Sequence, residues 1–485
     1  MRKALICLCL ITVMAGFAKE RRPVEKDVSV TGKISSPTAQ DIKIVWHNVY
    51  DYSIKDCADS VTLNNDGTFR FAFKLAKPDL FYILNGNDYV LRGFYLIPRD
   101  SVNVDVDNST PNKFSYKFSG RGKSVYGNRI HQLFADSFPM NDEFWNNVYR
   151  NDYQQFLQFI NDRRQKQFEF YRKYLRNKDV PKIVKNDIMD EINYIWGYCR
   201  ANYLLTRYYR TNNKEIKIDS TYLLFLREIP LNNPKSQFRT YFHAFVSTYI
   251  DLLVAQEEEK NKDTNNTDEL RKSKVKYRIV KLMFSGLARD IAMSDVIGRM
   301  IDWHPTSEAM NIVKSWLEEF KGMAYDTGYV NPLLVKYNKR LELIPGKTAP
   351  NFTLEDINGN KVSLSDFRGK IVYIDFWGTW CGPCRDELPY YKALQEKFKG
   401  NDNIVFISIA LEHNNHDKWV KFVNENSLPG KQLYSDGLMN PVAKEYMING
   451  VPKFMIIGKD GKFIDANAKR PSEPELENEL KKYLD

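Results

Sequence analysis

Cys381 and Cys384 enclose Gly382 and Pro383 at the start of a stretch, 383–398, that reads as a helix. Just before them, Ile371–Trp377 is an apolar run of the kind that forms a buried strand. A thiol at a helix N-terminus gains from free N–H groups and from the helix dipole, which favour its thiolate. A second thiol one turn on can close a reversible disulfide with it. The chemistry this spacing offers is thiol–disulfide exchange. Two carboxylates close by in sequence are candidates for proton transfer. Asp375 lies on the strand, six residues before Cys381, and an Asp inside an apolar strand needs a reason. Burial raises the pKa of such a group, so it can accept the proton of Cys384. Glu387 follows Cys384 by three residues, on the same helical face. Trp377 and Trp380 flank the loop, and Trp380 is placed to shield the disulfide and offer contact surface.

The elements that must hold these groups alternate between strand and helix. A hairpin turns at Asn358-Gly359, and the strand and cysteine helix follow. Next come a buried strand at 404–410, helices at 418–426 and 439–447, a strand at 454–457, an Asp460-Gly461 turn and a helix at 473–484. This order describes an α/β unit around a central sheet. Upstream, residues 27–120 read as several short strands with turns between them, the pattern of a small β-sandwich. Asn65-Asp66-Gly67, between two alternating runs, is a hairpin signal. From 121 the period becomes helical. Tyr153, Phe156, Leu157 and Ile160 share one face, as do Ile192, Ile195, Trp196, Cys199 and Tyr203. The polar stretch 257–268 reads as a solvated loop. The expected organisation is multi-domain: a signal peptide (1–18), a β-sandwich domain (27–120), an α-helical domain (121–340) and a C-terminal α/β domain (345–485).

Composition sets the address. The chain of 485 residues is too long for one core, and 43% hydrophobic with 27% charged residues is ordinary for a globular protein. Arg2 and Lys3 precede an apolar run to Phe17, and Gly16 and Ala18 make a small-residue cleavage pattern. That run is too short to span a membrane comfortably, so the mature protein is expected in an oxidising, extracytoplasmic space. Of six cysteines, Cys7 and Cys9 lie in the leader, leaving Cys57, Cys199, Cys381 and Cys384, which is no disulfide scaffold. Cys57 and Cys199 are read as buried free thiols. The net charge of +10 comes from basic residues spread along the chain, so no nucleic-acid surface is expected. His413 and His416 lack a third ligand, so no metal site is read there. No phosphate loop or haem-attachment motif points to a cofactor.

The last ~140 residues resemble the thioredoxin fold, and more closely its extracytoplasmic TlpA/ResA-like branch. Phe376-Trp-Gly-Thr-Trp-Cys-Gly-Pro-Cys-Arg-Asp-Glu-Leu-Pro389 and Gly450-Val-Pro452 carry the likeness. The β-sandwich and helices before it resemble, more weakly, the N-terminal extension of TlpA-like proteins in Bacteroidota. The resemblance implies an exposed attacking thiol at Cys381 and a buried resolving thiol at Cys384. It implies a cis bond before Pro452, with the Val451 backbone turned to pair with an extended substrate. Trp380, Gly382, Pro383, Val451 and Pro452 would then border the substrate. Asp375 matches the buried acid of thioredoxin itself, and Glu387 matches an acid of the TlpA/ResA branch. Lys453 stands where many relatives carry Thr, and its charge is expected to lower the pKa of Cys381.

The uncharged Gly-Pro between the cysteines does not over-stabilise a thiolate, which favours a reductant. The expected activity is reduction of protein disulfides, fed by a membrane thiol–disulfide electron donor. Two other readings stay open. One is an envelope binding or scaffold protein in which redox chemistry is secondary. The other is a thiol peroxidase of related fold, which would want a Thr-X-X-Cys around an isolated cysteine.

Overall fold

The computed structural model describes residues 25–47, 54–86, 88–110, 113–210, 223–231, 240–260, 269–412, 415–438 and 440–484. The expected leader and His413 lie outside them, and of Cys57 only the backbone is described. Packing divides the chain into two units. One holds the N-terminal strands with residues up to 144 and with 165–189; the other holds 145–164 and everything from 190 onward.

In the first unit, Thr68–Leu75, Lys26–Ile34, Ser101–Thr110 and Lys113–Arg121 lie side by side in one four-stranded sheet. Ile54–Thr62, Asp41–His47, Asp79–Asn85 and Asp88–Leu96 form a second. Alternate residues point inward, as the pleat requires. Val28, Val30, Val102 and Val104 from one sheet meet Ile42, Ile44, Phe81 and Phe94 from the other in a single apolar cluster. The Asn64–Gly67 turn is tight, with Gly67 N–H on Asn64 O at 2.9 Å and φ of 79° at Gly67. It does not close a hairpin. The strands on either side belong to different sheets, so the turn carries the chain from one sheet to the other. Local turn chemistry sets the bend; the distant partners Lys26–Ile34 and Asp41–His47 set the pairing.

In the second unit, Gly286–Trp303 is a central helix. Ala288, Ile291, Ala292, Val296, Ile297, Met300 and Ile301 are all buried, a face wider than one stripe. It packs against Thr240–Lys260, Glu269–Met283, Ser307–Met323 and Val330–Leu341. Thr306 caps Ser307–Met323 by accepting the Ala309 N–H at 3.2 Å. Among the described residues no helix is long and apolar enough to cross a membrane.

The C-terminal sheet has seven strands, in the order Lys361–Ser363, Thr353–Asp356, Lys431–Asp436, Ile404–Glu412, Ile371–Trp377, Lys453–Ile457, Phe463–Asp465. The first two form the hairpin around Gly359. Ile371–Trp377 runs parallel to Ile404–Glu412 and antiparallel to Lys453–Ile457, and every one of its residues is buried. Its alternation separates two tasks. Val372, Ile374 and Phe376 join an apolar cluster with Met455, Ile457 and Tyr446. Ile371 and Tyr373 join another, with Tyr391 and Leu394 of the cysteine helix Gly382–Lys397 and Leu476 and Leu480 of the last helix Glu475–Leu484. Asp375 shares this second parity.

Candidate active site

Cys381 caps the helix Gly382–Lys397, with Pro383 in its first turn, and is joined to Cys384 by a disulfide. The Cys384 N–H points at Cys381 Sγ, 3.1 Å away. That N–H has no intrahelical acceptor, and a thiolate at Cys381 would receive it. Val451 O lies 3.7 Å from the same sulfur, and the Val451–Pro452 bond is cis. Cys381 is not the exposed thiol the resemblance implied. It is 4% exposed, against 3% for Cys384. The cause is packing: both sulfurs sit in a cluster with Trp377, Ala410, Trp419 and Val423, and Val451 leans on it.

Trp380 is 52% exposed beside Cys381, its indole N–H held by Leu411 O at 3.1 Å. That pose needs glycine at 378, because a Cβ there would lie 2.6 Å from Trp380 Nε1. Pro383 is exposed and Gly382 half-buried. The Thr379 N–H donates to the carboxylate of Glu412, which is buried at the end of the neighbouring strand. The sequence reading missed Glu412, since it closes an apolar run and no spacing links it to Cys381.

Both expected carboxylates are buried on the cysteine-helix side of the sheet. Asp375 stands opposite Ser408 and Phe454, and its Oδ1 has no hydrogen-bond partner. Its pKa is raised well above the usual carboxylate range, first by burial and then by the negative charge of Glu387. Glu387 lies on the face that also buries Cys384, Tyr391 and Leu394. Its two oxygens accept from Ser472, Oε2 from the N–H at 3.0 Å and Oε1 from the hydroxyl at 2.8 Å. Arg470 Nη1 stands 4.0 Å from Oε1. Tyr391, whose OH accepts from Ser408 at 3.1 Å, is held neutral by burial and then by the charge of Asp375. Ser472 is 85 residues from Glu387, in an Arg-Pro-Ser-Glu turn with no catalytic pattern, which is why sequence reasoning passed over it.

Lys453 departs from the expectation. It pairs with Phe376, so its side chain takes the face opposite Asp375 and Trp377. Its ammonium bonds Asn467 Oδ1 and lies 5.3 Å above the Trp303 ring. Burial, then the nearby Arg340 guanidinium, lower its pKa to about 8. Its charge is directed at the helical segment and not at Cys381. Asn449 to Asp302 at 3.1 Å and Asn467 to Trp303 O at 2.9 Å join the same two segments. Among the described residues no group of three or more His, Cys, Asp or Glu side chains is placed to hold a metal.

The AhpC/TSA family profile matches residues 345–466. The thiol-disulfide oxidoreductase ResA of Bacillus cereus is 37% identical over 147 residues, which is 30% of this chain and 82% of that protein. The chain belongs to the ResA-type thiol-disulfide oxidoreductases. The ResA of Bacillus subtilis is 54% identical over a shorter stretch of 66 residues, 13% of this chain and 37% of that protein. A solved thiol-disulfide oxidoreductase of Bacteroides fragilis is 28% identical, covering 28% of this chain and 98% of that one, with a TM-score of 0.26. As a ResA-type oxidoreductase the chain carries its thioredoxin fold in the C-terminal region, where the seven-stranded sheet and the disulfide lie.

Proposed function

We propose that this oxidoreductase reduces protein disulfides in the cell envelope, by exchange at Cys381 and Cys384 through a mixed disulfide. The Cys381 thiolate attacks one sulfur of a substrate disulfide. The substrate S–S bond breaks, a Cys381–substrate bond forms, and the departing substrate thiolate takes a proton from water. Cys384 then gives its proton to the carboxylate pair, and its thiolate attacks Cys381 Sγ. The mixed disulfide breaks, the second substrate thiolate leaves and is protonated, and two electrons have passed to the substrate. The enzyme is left with the Cys381–Cys384 disulfide. Asp375, its pKa raised by burial and by Glu387, is suited to hold the proton in that state.

The observation that carries this reading is the Cys384 N–H aimed at Cys381 Sγ at the first turn of a helix. Val451 O, 3.7 Å from the attacked sulfur, supports pairing of an extended substrate segment along that backbone, with Trp380 and Pro383 as its exposed borders. The uncharged Gly382-Pro383 supports the reducing direction. In an oxidising space the disulfide must be re-reduced, and a membrane dithiol carrier of the thioredoxin-relay type would serve. Residues 1–18 would be the export signal. The paired cysteines favour a reductase over a peroxidase with an isolated cysteine. The test is reduction of a disulfide-linked model protein under a small dithiol. Cys381→Ser is expected to remove the enzyme-dependent rate, and an unchanged rate would sink the proposal. Cys384→Ser is expected to accumulate mixed disulfides through Cys381.

A further inference from the structure

Residues 469–473 form a short turn ahead of the last helix, and it is fastened to both elements that carry the buried carboxylates. Lys469 O accepts the Tyr373 hydroxyl at 2.7 Å, and Tyr373 lies two residues before Asp375 on the same strand and the same face. The turn is closed on itself: Arg470 N–H reaches Glu473 Oε1 at 2.8 Å, and Glu473 N–H reaches Arg470 O at 3.0 Å. Pro471 and Pro474 restrict its backbone. From this frame Ser472 sends both of its donors to Glu387, one to each carboxylate oxygen. A group whose two oxygens both accept in this way is bound as an acceptor, the role of an ionised carboxylate. Asp375 Oδ1 receives nothing. The two acids thus differ in what solvates them. The charged and titratable groups around the pair are Tyr373 on the strand, Tyr391 on the cysteine helix, and Arg470 and Glu473 on the turn.

We propose that Ser472 is a positioning residue of the redox site: it holds Glu387 as the anion beside Asp375, so that the proton released by Cys384 resides on Asp375. This rests on the carboxylate reading given under Proposed function. Without the Ser472 hydroxyl, Glu387 Oε1 loses its donor and the negative charge beside Asp375 is less well held. The pair then binds a proton more readily, and less of it is available as base at neutral pH. Ser472 itself is exposed, so replacing it leaves the core intact.

The experiment follows the reduced full chain reacting with 5,5′-dithiobis(2-nitrobenzoate) by stopped flow, from roughly pH 5 to 9. The first coloured thiolate reports attack by Cys381, and the second reports resolution by Cys384. Ser472→Ala is expected to slow resolution roughly three- to tenfold near neutral pH. Its pH midpoint should move upward and the attack step should stay unchanged. Ser472→Thr is expected to restore the resolution rate. In a Glu387→Gln background Ser472→Ala is expected to do nothing more. Wild-type resolution in Ser472→Ala overturns the proposal. So does an equal slowing in the Glu387→Gln background, which would mark a merely structural role. Should Glu387→Gln itself leave resolution untouched, Glu387 drops out and Ser472 with it, while loss of both phases in Cys381→Ser would still support the exchange mechanism.

Discussion

Cys199 and Cys381 are both buried, one inside a helix and one capping a helix, and the two helices treat them in opposite ways. Cys199 lies inside Lys182–Arg210 and is fully buried. Burial pushes its thiol up to about 12, with Arg163 opposing only in part. Around it the backbone N–H groups are spent on the helix ladder, so none of them is left to solvate an anion. Cys381 has almost as little exposure, yet it precedes the first turn, where the Cys384 N–H is free to reach its sulfur. Under the proposed exchange, exposure therefore does not separate an inert thiol from a reactive one in this molecule. Position along the helix does.

The largest difference between the two thiols is expected at the sulfurs themselves. Cys381→Ser is expected to lower disulfide exchange by about a thousandfold or more, since a hydroxyl is not a thiolate nucleophile. Cys199→Ser should leave it unchanged. Alkylation of the reduced, folded protein, mapped by mass spectrometry, should label Cys381 well before Cys199; the reverse order would destroy the argument. Cys199→Ser should instead cost about 1–2 kcal/mol of stability in denaturant unfolding, by putting a hydroxyl where a thiol was packed.

Burial can be examined on an acid and a base as well. The Asp375 pKa is raised on folding, so its favourable contribution is complete below the unfolded value and is lost as pH rises through the folded one. Asp375→Asn should therefore match the wild type in acid and exceed it in unfolding free energy at neutral and higher pH, by about 1–3 kcal/mol. A constant difference at all pH values would show that charge is not the cause. Lys453 has the opposite sign. Its folded pKa is about 8, so the cost of its charge is absent above the unfolded pKa and is fully felt below about pH 8. Lys453→Met should gain about 1 kcal/mol near neutral pH and lose that advantage in strong base. The gain is small because Met also gives up the Asn467 bond and the Trp303 contact.

What was legible in the sequence was local. The Cys381–Cys384 spacing, the apolar strand before it and the helical face shared by Cys384 and Glu387 are fixed by neighbours within a few residues. What was not legible depends on distant partners. Asn65-Asp66-Gly67 specifies a bend but cannot say which strands will pair beyond it. The cover over Cys381 comes from Trp419, on a later helix, and from Val451. Lys453 takes its direction from strand register and from Asp302, Trp303 and Arg340, more than a hundred residues earlier. Ser472 reaches Glu387 only because the last helix folds back beside the cysteine helix.

The two tryptophans that precede the cysteines have an optical consequence. Trp377 is 1% exposed and shares an apolar cluster with both sulfurs, whereas Trp380, next to Cys381, is 52% exposed. A disulfide accepts an electron from an excited indole; a pair of thiols does not. Opening the Cys381–Cys384 bond should therefore brighten both indoles. The buried one should gain at shorter wavelength and the solvated one at longer wavelength. Each turn of the exchange cycle would then be written in the protein's own emission, with no label attached.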